Sequence, residues 1–533
     1  MYQPISRLLA VPALLGLAAV TASAALGQVY QRADTTPIQP NGAPNPATIL
    51  KAVAPTDDGG YIAVGREGTT NIHIARYGPL GNVMWSRFAP MNVAVEATGI
   101  NHLAVPGARL YAVVGEVADA SPWGTWSMII DDAGNLLCSR EFDGVGAAAT
   151  GSRSPAAVKG LGDGTYVVTG RAQLAAGAPG YARLTRLTPG CGQVWSKLYM
   201  PAGLPGLTGG CEITDVVEEQ GGATLLAVGT AFLDSGGSVP FLMRVTSATG
   251  VPVLSRFYGN GDPQLELHGD GLDAAINTAN QVEGYIFDGR MTPVTAGAPG
   301  PMQNHVVKVD PAGLNVIWGQ NFPEFDPGHA CVRSYPGGNV LAGTRLTPNG
   351  SMGILGAMVN QATGGPLWGW TYGQPNDYGF GVAITAASAA SPVGPIIVGT
   401  GGTAAAPTGY LVKSAITSGS TGGCEHEILP PTQGAISTGC QFEWIDVQHL
   451  REFTQLIPET LRTVDACPHP VCCNPDFNGD GNLGTDADIA DFFACLGGNC
   501  CPTCGTADFN CDGNVGTDAD IASFFRVLAG GPC

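Results

Sequence analysis

A repeat with a period of about fifty-five residues constrains the fold of this chain more than any other feature of its sequence. Each copy contains a short apolar segment that ends in glycine, such as "GGYIAVG", which ends at Gly65, or "ATLLAVG", which ends at Gly229. The glycines that end the seven copies are Gly65, Gly115, Gly170, Gly229, Gly289, Gly343 and Gly399. Self-similarity at a fixed period indicates stacked supersecondary units, so the core is expected to form between neighbouring copies.

The residues around each glycine segment predict four antiparallel strands per copy. One apolar strand precedes the segment, and a strand, a turn and a further strand follow it, as in "YARLTRLTPGCGQVWSKLYM". Apolar alternation with Gly, Asp or Asn at the bends is typical of antiparallel hairpins. Four such strands at this spacing are the pattern of a β-propeller blade. We therefore predict an all-β propeller of about seven blades at residues 28–430, with six or eight blades as alternatives.

The last copy lacks a final strand, because it ends in "GGCEHEI" where a tryptophan strand is expected. A propeller must close its ring. The N-terminal segment "QVYQRAD", which begins at Gln28, has the pattern of the missing strand. We predict that this segment completes the last blade.

Tryptophan recurs at one position of the final strand in each copy. The position holds Trp85, Trp195, Trp318 and Trp368, with Cys138 and Leu254 in copies two and four. Because aliphatic and sulfur side chains replace the indole, we interpret the position as packing between adjacent sheets. The pattern resembles secreted bacterial propellers with "GGY-x-V-x-G" strands and "D-x-x-G-x-x-x-W" turns, which implies architecture and no activity. Quinoprotein dehydrogenases share the tryptophan strand, but residues 28–430 contain no adjacent cysteine pair, so no quinone cofactor is expected.

An acidic sequence motif occurs twice near the C-terminus. "DFNGDGNLGTDADIADFFACL" begins at Asp476, and "DFNCDGNVGTDADIASFFRVL" begins at Asp508. Oxygen ligands at alternate positions of a tightly turned loop converge on one point, and calcium takes about six to eight of them. The predicted ligands of two calcium ions are Asp476, Asn478, Asp480, Asn482 and Asp488, and in the second loop Asp508, Asn510, Asp512, Asn514 and Asp520.

The two loops, each followed by helically spaced apolar residues, resemble a type I dockerin, a duplicated EF-hand-like module. The resemblance covers residues 467–533 and implies a small α-helical domain that binds calcium and docks a secreted protein onto a partner. The implied partner is an extracellular receptor, either cohesin-like or a dedicated cell-surface protein. The linker between propeller and module is predicted at residues 431–466, with a short helix in "VQHLREFTQLIPETL" and a disulfide between Cys424 and Cys440.

The closing calcium ligand departs from the dockerin pattern. In that family a carboxylate at loop position twelve completes the shell, whereas position twelve here is Ala487. We assign the role to Asp488, with Asp486 as the alternative, and in the second copy to Asp520, with Asp518 as the alternative. Asp488 also follows Thr485 by three residues, which is the spacing of a helix capping box.

The N-terminus predicts export. Arg7 precedes an apolar run and the small residues of "TASAALGQ", so residues 1–27 are expected to be a signal peptide of a bacterial secreted or cell-surface protein. No segment is long enough to span a membrane after cleavage. Fifteen cysteines fit this compartment, and we interpret "CCPTC" as disulfide-forming rather than zinc-binding. The net charge of −19 disfavours nucleic acid as a partner.

The sequence shows no established catalytic motif: HExxH, GxSxG and a phosphate-binding P-loop are all lacking. The favoured function is therefore a recognition or scaffold propeller that the calcium module attaches to an extracellular partner. The alternative is a carbohydrate-active enzyme, either a glycoside hydrolase or a polysaccharide lyase. Its catalytic carboxylates would lie in the propeller channel and act on a polysaccharide.

Overall fold

A computed structural model describes most of the repeat region and part of the C-terminal module. The described residues are 30–35, 48–91, 93–118, 124–142, 157–173, 179–202, 210–259, 266–292, 294–295, 298–299, 303–322, 325–346, 352–373, 377–385, 393–403, 406–418, 426–427, 432–433, 437–446, 457–459, 462–465, 475–478, 484–501, 507, 509–510 and 516–529. Among them, no helix is both long and apolar enough to cross a bilayer.

The strands fall into consecutive groups of four, here called sheets 1 to 7. Strand β1 (Tyr30–Thr35) stands alone at the N-terminus. Sheet 1 contains β2 (Thr48–Pro55), β3 (Tyr61–Glu67), β4 (Asn71–Tyr77) and β5 (Val83–Pro90). Sheet 2 contains β6 (Ala94–Leu103), β7 (Leu110–Ala118), β8 (Gly124–Asp131) and β9 (Leu136–Phe142). Sheet 3 contains β10 (Val158–Gly160), β11 (Tyr166–Gln173), β12 (Gly180–Leu187) and β13 (Gln193–Ala202).

The remaining sheets follow the same order along the chain. Sheet 4 contains β14 (Gly210–Glu218), β15 (Thr224–Phe232), β16 (Ser238–Thr246) and β17 (Pro252–Tyr258), and the short β18 (Glu266–Leu267) follows it. Sheet 5 contains β19 (Gly271–Ile276) and β20 (Val282–Thr292), a small hairpin of β21 (Val294–Thr295) and β22 (Ala298–Pro299), and then β23 (Gln303–Val309) and β24 (Val316–Phe322). Sheet 6 contains β25 (Phe325–Tyr335), β26 (Gly338–Leu346), β27 (Met352–Asn360) and β28 (Pro366–Tyr372). Sheet 7 contains β29 (Tyr378–Thr385), β30 (Gly394–Thr403) and β31 (Ala406–Lys413).

Within each sheet, successive strands pair in antiparallel register. The first strands of the sheets, here called inner strands, contact one another in ring order: β2, β6, β10, β14, β19, β25 and β29, which returns to β2. Strand β1 pairs with β31, Tyr30 lying opposite Lys413, so the N-terminal segment supplies the fourth strand of sheet 7, where the sequence predicts it. The described chain is mostly β-sheet, with two helices near its C-terminus, which confirms the predicted class.

The glycines that end the second strands are required by close contact with the inner strand. The inner strands of sheets 1, 2, 4 and 7 carry a β-bulge opposite this glycine. A Cβ added at Gly65 would overlap the carbonyl oxygen of Ile49, and one at Gly229 would overlap that of Glu212. The same overlap occurs at Gly115, Gly289 and Gly399. The repeated glycine therefore marks where two backbones approach each other.

The repeated tryptophans join each sheet to the next. Trp195 donates its indole N–H to the carbonyl of Ser247, 2.9 Å away in the turn of sheet 4. The same bond runs from Trp85 to Asp132 (3.0 Å), from Trp318 to Gln361 (3.1 Å) and from Trp368 to Ile416 (2.9 Å). The indoles of Trp85, Trp195 and Trp318 lie against turn glycines, Gly134, Gly250 and Gly364, all with positive φ. The interpretation as packing between sheets is confirmed.

Where tryptophan is absent, other contacts join the sheets. Cys138 of sheet 2 forms a disulfide with Cys191, which lies in the turn of sheet 3. Leu254 of sheet 4 packs against the core cluster that contains Leu314, a turn residue of sheet 5. The position thus requires a contact with the next turn, and indole, sulfur and aliphatic groups all supply it.

The residue before the tryptophan position is a bulge residue of the outer strand, and its side chain points to solvent. Val253, for example, is 58% exposed. Among the described residues this position holds Met84, Leu137, Val194, Val253, Ile317 and Leu367, all of them exposed. A bulge adds one residue to the strand, so the neighbouring tryptophan can face the next sheet while this residue faces outward.

The linker adds short strands to the outer edges of the sheets. Strands β32 (His426–Glu427), β33 (Thr432–Gln433), β34 (Ser437–Asp446), β35 (Ile457–Glu459) and β36 (Arg462–Asp465) pair with strands of sheets 6, 5, 4 and 3, 1 and 7 respectively. The predicted short helix is wrong over Ile457–Glu459, which pairs with β5 instead. Pro458 has no N–H for a helical hydrogen bond, so an edge strand suits it better. Residues 447–456 and Cys424, one end of the predicted disulfide, lie outside the described residues.

The C-terminal module contains helices α1 (Asp486–Leu496) and α2 (Asp518–Leu528). They pack through Phe492 and Phe524, whose rings stack with centroids 4.0 Å apart. Phe477 and Phe509, each from a loop that precedes a helix, complete a core of four aromatic rings. The duplication in sequence therefore gives a nearly two-fold core.

Candidate functional site

One end of the ring receives the longer connections of the chain. In every sheet the glycine-ended strand finishes at this end and the inner strand begins there. Each outer strand also finishes there, as β9 does at Phe142, before the next inner strand begins, as β10 does at Val158. We call it the loop end. The opposite end carries tight turns, such as the one closed by the bond from Gly59 N to Thr56 O. Binding and catalytic groups concentrate where variable connections meet a rigid scaffold, so the loop end is the candidate location of a functional site.

Charged side chains occupy equivalent positions at the loop end. The residue after the repeated glycine is Arg66 in sheet 1, Arg171 in sheet 3 and Arg290 in sheet 5. The inner-strand residue whose carbonyl faces the glycine is Glu96 in sheet 2 and Glu212 in sheet 4. Arg66 Nε lies 3.2 Å from Glu96 Oε1, so an arginine of one sheet pairs with a glutamate of the next.

Sheet 5 carries the densest group of ionisable residues at this end. Arg290 Nε lies 3.2 Å from Asp270 Oδ2, and Arg290 Nη2 lies 3.3 Å from Nδ1 of His268. Burial raises the pKa of Asp270, although Arg290 opposes this by stabilising the anion. Burial, together with the Arg290 charge, lowers the pKa of His268 to about 3, so this imidazole is neutral at physiological pH. The side chains of Asp270 and Arg290 are 10% and 29% exposed, so both reach solvent.

Asp288 lies behind this group and is fully enclosed. Its Oδ1 accepts a hydrogen bond from Gly271 N at 3.0 Å, while its Oδ2 has no hydrogen-bond partner among the described residues. Burial, and then the nearby charges of Asp270 and Asp215, raise the pKa of Asp288 to about 8. The group therefore retains its proton at neutral pH.

Asp288 was not among the residues predicted from the sequence, but a signal for it exists. It precedes the repeated glycine in "EGYIFDG", at a position that is Val64 in sheet 1 and Val228 in sheet 4. Those valines pack between sheets. An acid in place of a core valine is costly, which is why such a departure from a repeat pattern points to a functional site.

Other buried carboxylates near the axis have a structural explanation. Asp215 Oδ2 accepts from Leu272 N at 3.0 Å and lies 3.6 Å from Arg333 Nη1. Asp273 Oδ2 accepts from Ser334 N at 2.9 Å. Each of these acids bonds the backbone of the next inner strand, whose edge has no neighbouring strand among the described residues. They satisfy sheet edges, and we do not assign them to the site.

Loop-end chemistry therefore centres on Asp270. This carboxyl has a pKa raised by burial, a guanidinium that orients it, a neutral imidazole from His268 beside it and a protonated acid, Asp288, behind it. A carboxyl that a guanidinium holds in place and that reaches solvent can exchange a proton with a bound substrate. The arrangement suits general acid–base chemistry on a bound substrate.

The predicted calcium ligands lie partly within the described residues. Asp476, Asn478, Asp488, Asn510 and Asp520 are described, whereas Asp480, Asn482, Asp508, Asp512 and Asn514 lie outside the described residues. Each loop closes at its base in the same way: Gly484 N donates to Pro475 O, and Gly516 N donates to Ala507 O, both at 3.0 Å. In the described part of the chain, no group of three or more His, Cys, Asp or Glu side chains is arranged to hold a metal.

Asp488 is the carboxylate of helix α1 that faces the loop. It is fully buried, whereas the alternative, Asp486, is exposed. Its Oδ2 accepts from Thr485 N at 2.7 Å, which forms the capping box, and its Oδ1 lies 3.3 Å from Asn478 N. Asp520 repeats these contacts with Thr517 and Asn510. The capping role is therefore present, and in each copy Oδ1 accepts a hydrogen bond from the backbone of the loop.

The cysteines near the helices are oxidised. Cys495 forms a disulfide with Cys500, and Cys501 is also disulfide-bonded. These bonds confirm the choice of disulfides over zinc for "CCPTC" at those two positions. Among the described cysteines, Cys211 is a free thiol and is buried in sheet 4.

Comparison with known proteins gives distant resemblances in shape. No family model matches the chain, and no curated protein matches it. Similar solved structures include a polysaccharide lyase, Uly1, with 8% identity over 71% of this chain and 90% of that chain, at a TM-score of 0.41. A GH93 α-L-arabinofuranosidase of Fusarium graminearum has 13% identity over 59% of this chain and 92% of that chain, at a TM-score of 0.35. A quinohemoprotein alcohol dehydrogenase of Pseudomonas putida has 9% identity over 67% of this chain and 66% of that chain, at a TM-score of 0.36. Scores below 0.5 do not establish a shared fold, so function has to be argued from this chain's own residues.

Proposed function

We propose that this chain is an exported carbohydrate-active enzyme that cleaves glycosidic bonds at the loop end of a seven-bladed β-propeller. The closed ring of seven inner strands supports the blade count. The observation that carries the activity is Asp270, a carboxyl of raised pKa that reaches solvent at the axis beside Arg290. Cleavage of a glycosidic bond uses a carboxyl group as general acid, general base or nucleophile, and Arg290 orients this one.

The residues of sheet 5 take distinct roles in this proposal. Asp270 transfers the proton, and Arg290 holds its carboxyl in place through the bond from Nε. His268 is neutral, so it adds no second positive charge beside Arg290. Asp288 is enclosed and does not touch substrate. It is a positioning residue that, while protonated, adds no second negative charge beside Asp270.

Product analysis tests the proposal. The full-length chain is incubated with soluble neutral glucans, xylans, pectic polyuronates and sulfated polysaccharides, and new reducing ends and unsaturated products are measured. Hydrolysis gives reducing ends alone, whereas β-elimination at a uronate also gives an ultraviolet-absorbing double bond. Cleavage of at least one polysaccharide, lost in Asp270→Asn, is the expected result. Absence of cleavage across the panel overturns the enzymatic proposal.

Recognition without catalysis is the second candidate. The observation that favours it is the burial of the acids: Asp288 is fully enclosed, and Asp270 exposes a tenth of its side chain. In this case the propeller binds an extracellular ligand, and the dockerin-like module attaches the chain to a cohesin-like or cell-surface receptor. Retention of a polysaccharide without its cleavage would favour this function over the first.

We also propose that the module binds two calcium ions, one in each loop. The support is the matched closure of both loops and the inward Oδ1 of Asp488 and Asp520. Calorimetric titration of the full chain with calcium is expected to show two binding events, both lost when Asp480 and Asp512 are changed to Asn. The same titration in magnesium serves as the control, since Mg²⁺ demands a smaller octahedral shell. If the wild type and the variant with Asp480 and Asp512 changed to Asn release the same heat on calcium addition, this part of the proposal is refuted.

A further inference from the structure

Two aromatic residues of sheet 7 stand at the loop end, on the inner strand β29. The rings of Tyr378 and Phe380 lie 9° from parallel, with their centroids 6.5 Å apart. Tyr378 is 36% exposed, and it is the most exposed aromatic side chain among the described residues of the seven sheets. Phe380 is half-buried. The pair therefore presents aromatic surface at the loop end.

Packing does not explain these two residues. Tyr378 occupies the position that is Glu96 in sheet 2 and Glu212 in sheet 4, since the carbonyl oxygen of each faces the repeated glycine. Phe380 lies at the bulge, where sheet 4 has Thr214. Polar residues fill both positions in sheets 2 and 4, so the fold itself does not require aromatic rings there.

Charged groups surround the pair. Lys51 Nζ lies 3.6 Å from the centroid of Phe380 and 3.6 Å from Glu96 Oε1. Arg66 Nε contacts the same Glu96 oxygen at 3.2 Å. The aromatic surface thus has an ammonium, a carboxylate and a guanidinium along one side, all on sheets 1 and 2. These groups are partly exposed, so they can bond a ligand as well as one another.

We propose that Tyr378 and Phe380, with Lys51, Glu96 and Arg66, form a binding subsite for a pyranose unit of a polysaccharide. The C–H face of a sugar ring is apolar and stacks on an aromatic ring, while its equatorial hydroxyls bond charged groups at the rim. Sheets 1 and 2 lie across the ring from sheet 5, and sheet 6 alone separates sheet 7 from it. A polysaccharide laid over the loop end reaches both, so the subsite rests on the proposed function for its part in cleavage.

Affinity electrophoresis tests the subsite without requiring catalysis. The full-length chain migrates through gels that contain the same panel of soluble polysaccharides, and retardation gives the dissociation constant. Tyr378→Ala and Phe380→Ala are each expected to weaken binding about tenfold, because each removes one stacking contact. Tyr378→Phe keeps the ring and is expected to bind as the wild type does.

Phe493→Ala is the matched control, because Phe493 is an aromatic residue of the C-terminal module that is even more exposed than Tyr378, at 45%. It should leave retardation unchanged, and unfolding midpoints of all variants verify folding. The subsite is overturned if Tyr378→Ala is retarded as strongly as the wild type, or if no polysaccharide retards the wild-type protein. Retardation that depends on Tyr378 without any cleavage supports the subsite and refutes the enzymatic proposal, so the two failures are distinguishable.

Discussion

The enclosed acid Asp288 gives the sharpest test of the electrostatics at the loop end. Its pKa is raised to about 8 by burial and by the charges of Asp270 and Asp215. In the unfolded chain an aspartic acid has a pKa of about 3.9. Between these two values the folded chain holds a proton that the unfolded chain has released. Stability from this group is therefore greatest in acid and falls as the pH rises toward 8.

The size of the effect follows from proton linkage. One proton held by the folded state alone changes the free energy of unfolding by about 1.4 kcal/mol per pH unit. From about pH 5 to about pH 8, the wild type is expected to lose roughly 4 kcal/mol through Asp288. Asp288→Asn is neutral at every pH, and its amide oxygen can still accept from Gly271 N, so this loss should disappear.

The assay is urea unfolding, followed by tryptophan fluorescence at several pH values over this range. The free energy of unfolding of the wild type should fall more steeply with pH than that of Asp288→Asn, and the two curves should separate by roughly 4 kcal/mol at about pH 8. Asp273→Asn is the matched control, because Asp273 lies in the same sheet but is half-buried. Parallel pH profiles for wild type and Asp288→Asn would refute the argument.

Three further substitutions test how the repeat builds the ring. Gly229→Ala places a Cβ against the carbonyl of Glu212 and should cost about 3 kcal/mol in urea unfolding, whereas Gly190→Ala in an open turn should cost little. Trp195→Phe removes the indole N–H bond to the next sheet and should cost about 1 to 2 kcal/mol, and an unchanged midpoint would argue against that bond. Val253→Lys, at an exposed bulge, should change the free energy of unfolding by less than about 0.5 kcal/mol, and a large loss would show that the side chain is covered in solution.

Much of the architecture could be predicted from the sequence because it depends on local repetition. The glycine at Gly65 and its equivalents, the turn residues and the tryptophan position each encode one contact that recurs in every copy. The N-terminal strand could also be placed, since the last copy lacks one strand and the ring needs it. The capping pairs in the module, such as Thr485 with Asp488, follow from a spacing of three residues.

The site could not be predicted in the same way, because it depends on contacts that the repeated pattern does not encode. Asp270 and Arg290 are twenty residues apart, and Lys51 meets Phe380 only because the ring closes between sheets 7 and 1. Asp288 stands where sheets 1 and 4 have valine, and the sequence shows this difference. Its burial, however, results from the packing of the sheets and cannot be read from the sequence. The linker helix was predicted wrongly over Ile457–Glu459 because tertiary pairing with β5 overrides local helical spacing.

The turnover of Asp270→Asn on a polysaccharide that the wild type cleaves is the most direct test of the central claim. If Asp270 transfers the proton, kcat should fall by at least about a hundredfold while the affinity for the polysaccharide is retained, because the amide is isosteric but cannot donate the same proton. A variant that turns over its substrate at the wild-type rate would show that the chemistry lies elsewhere.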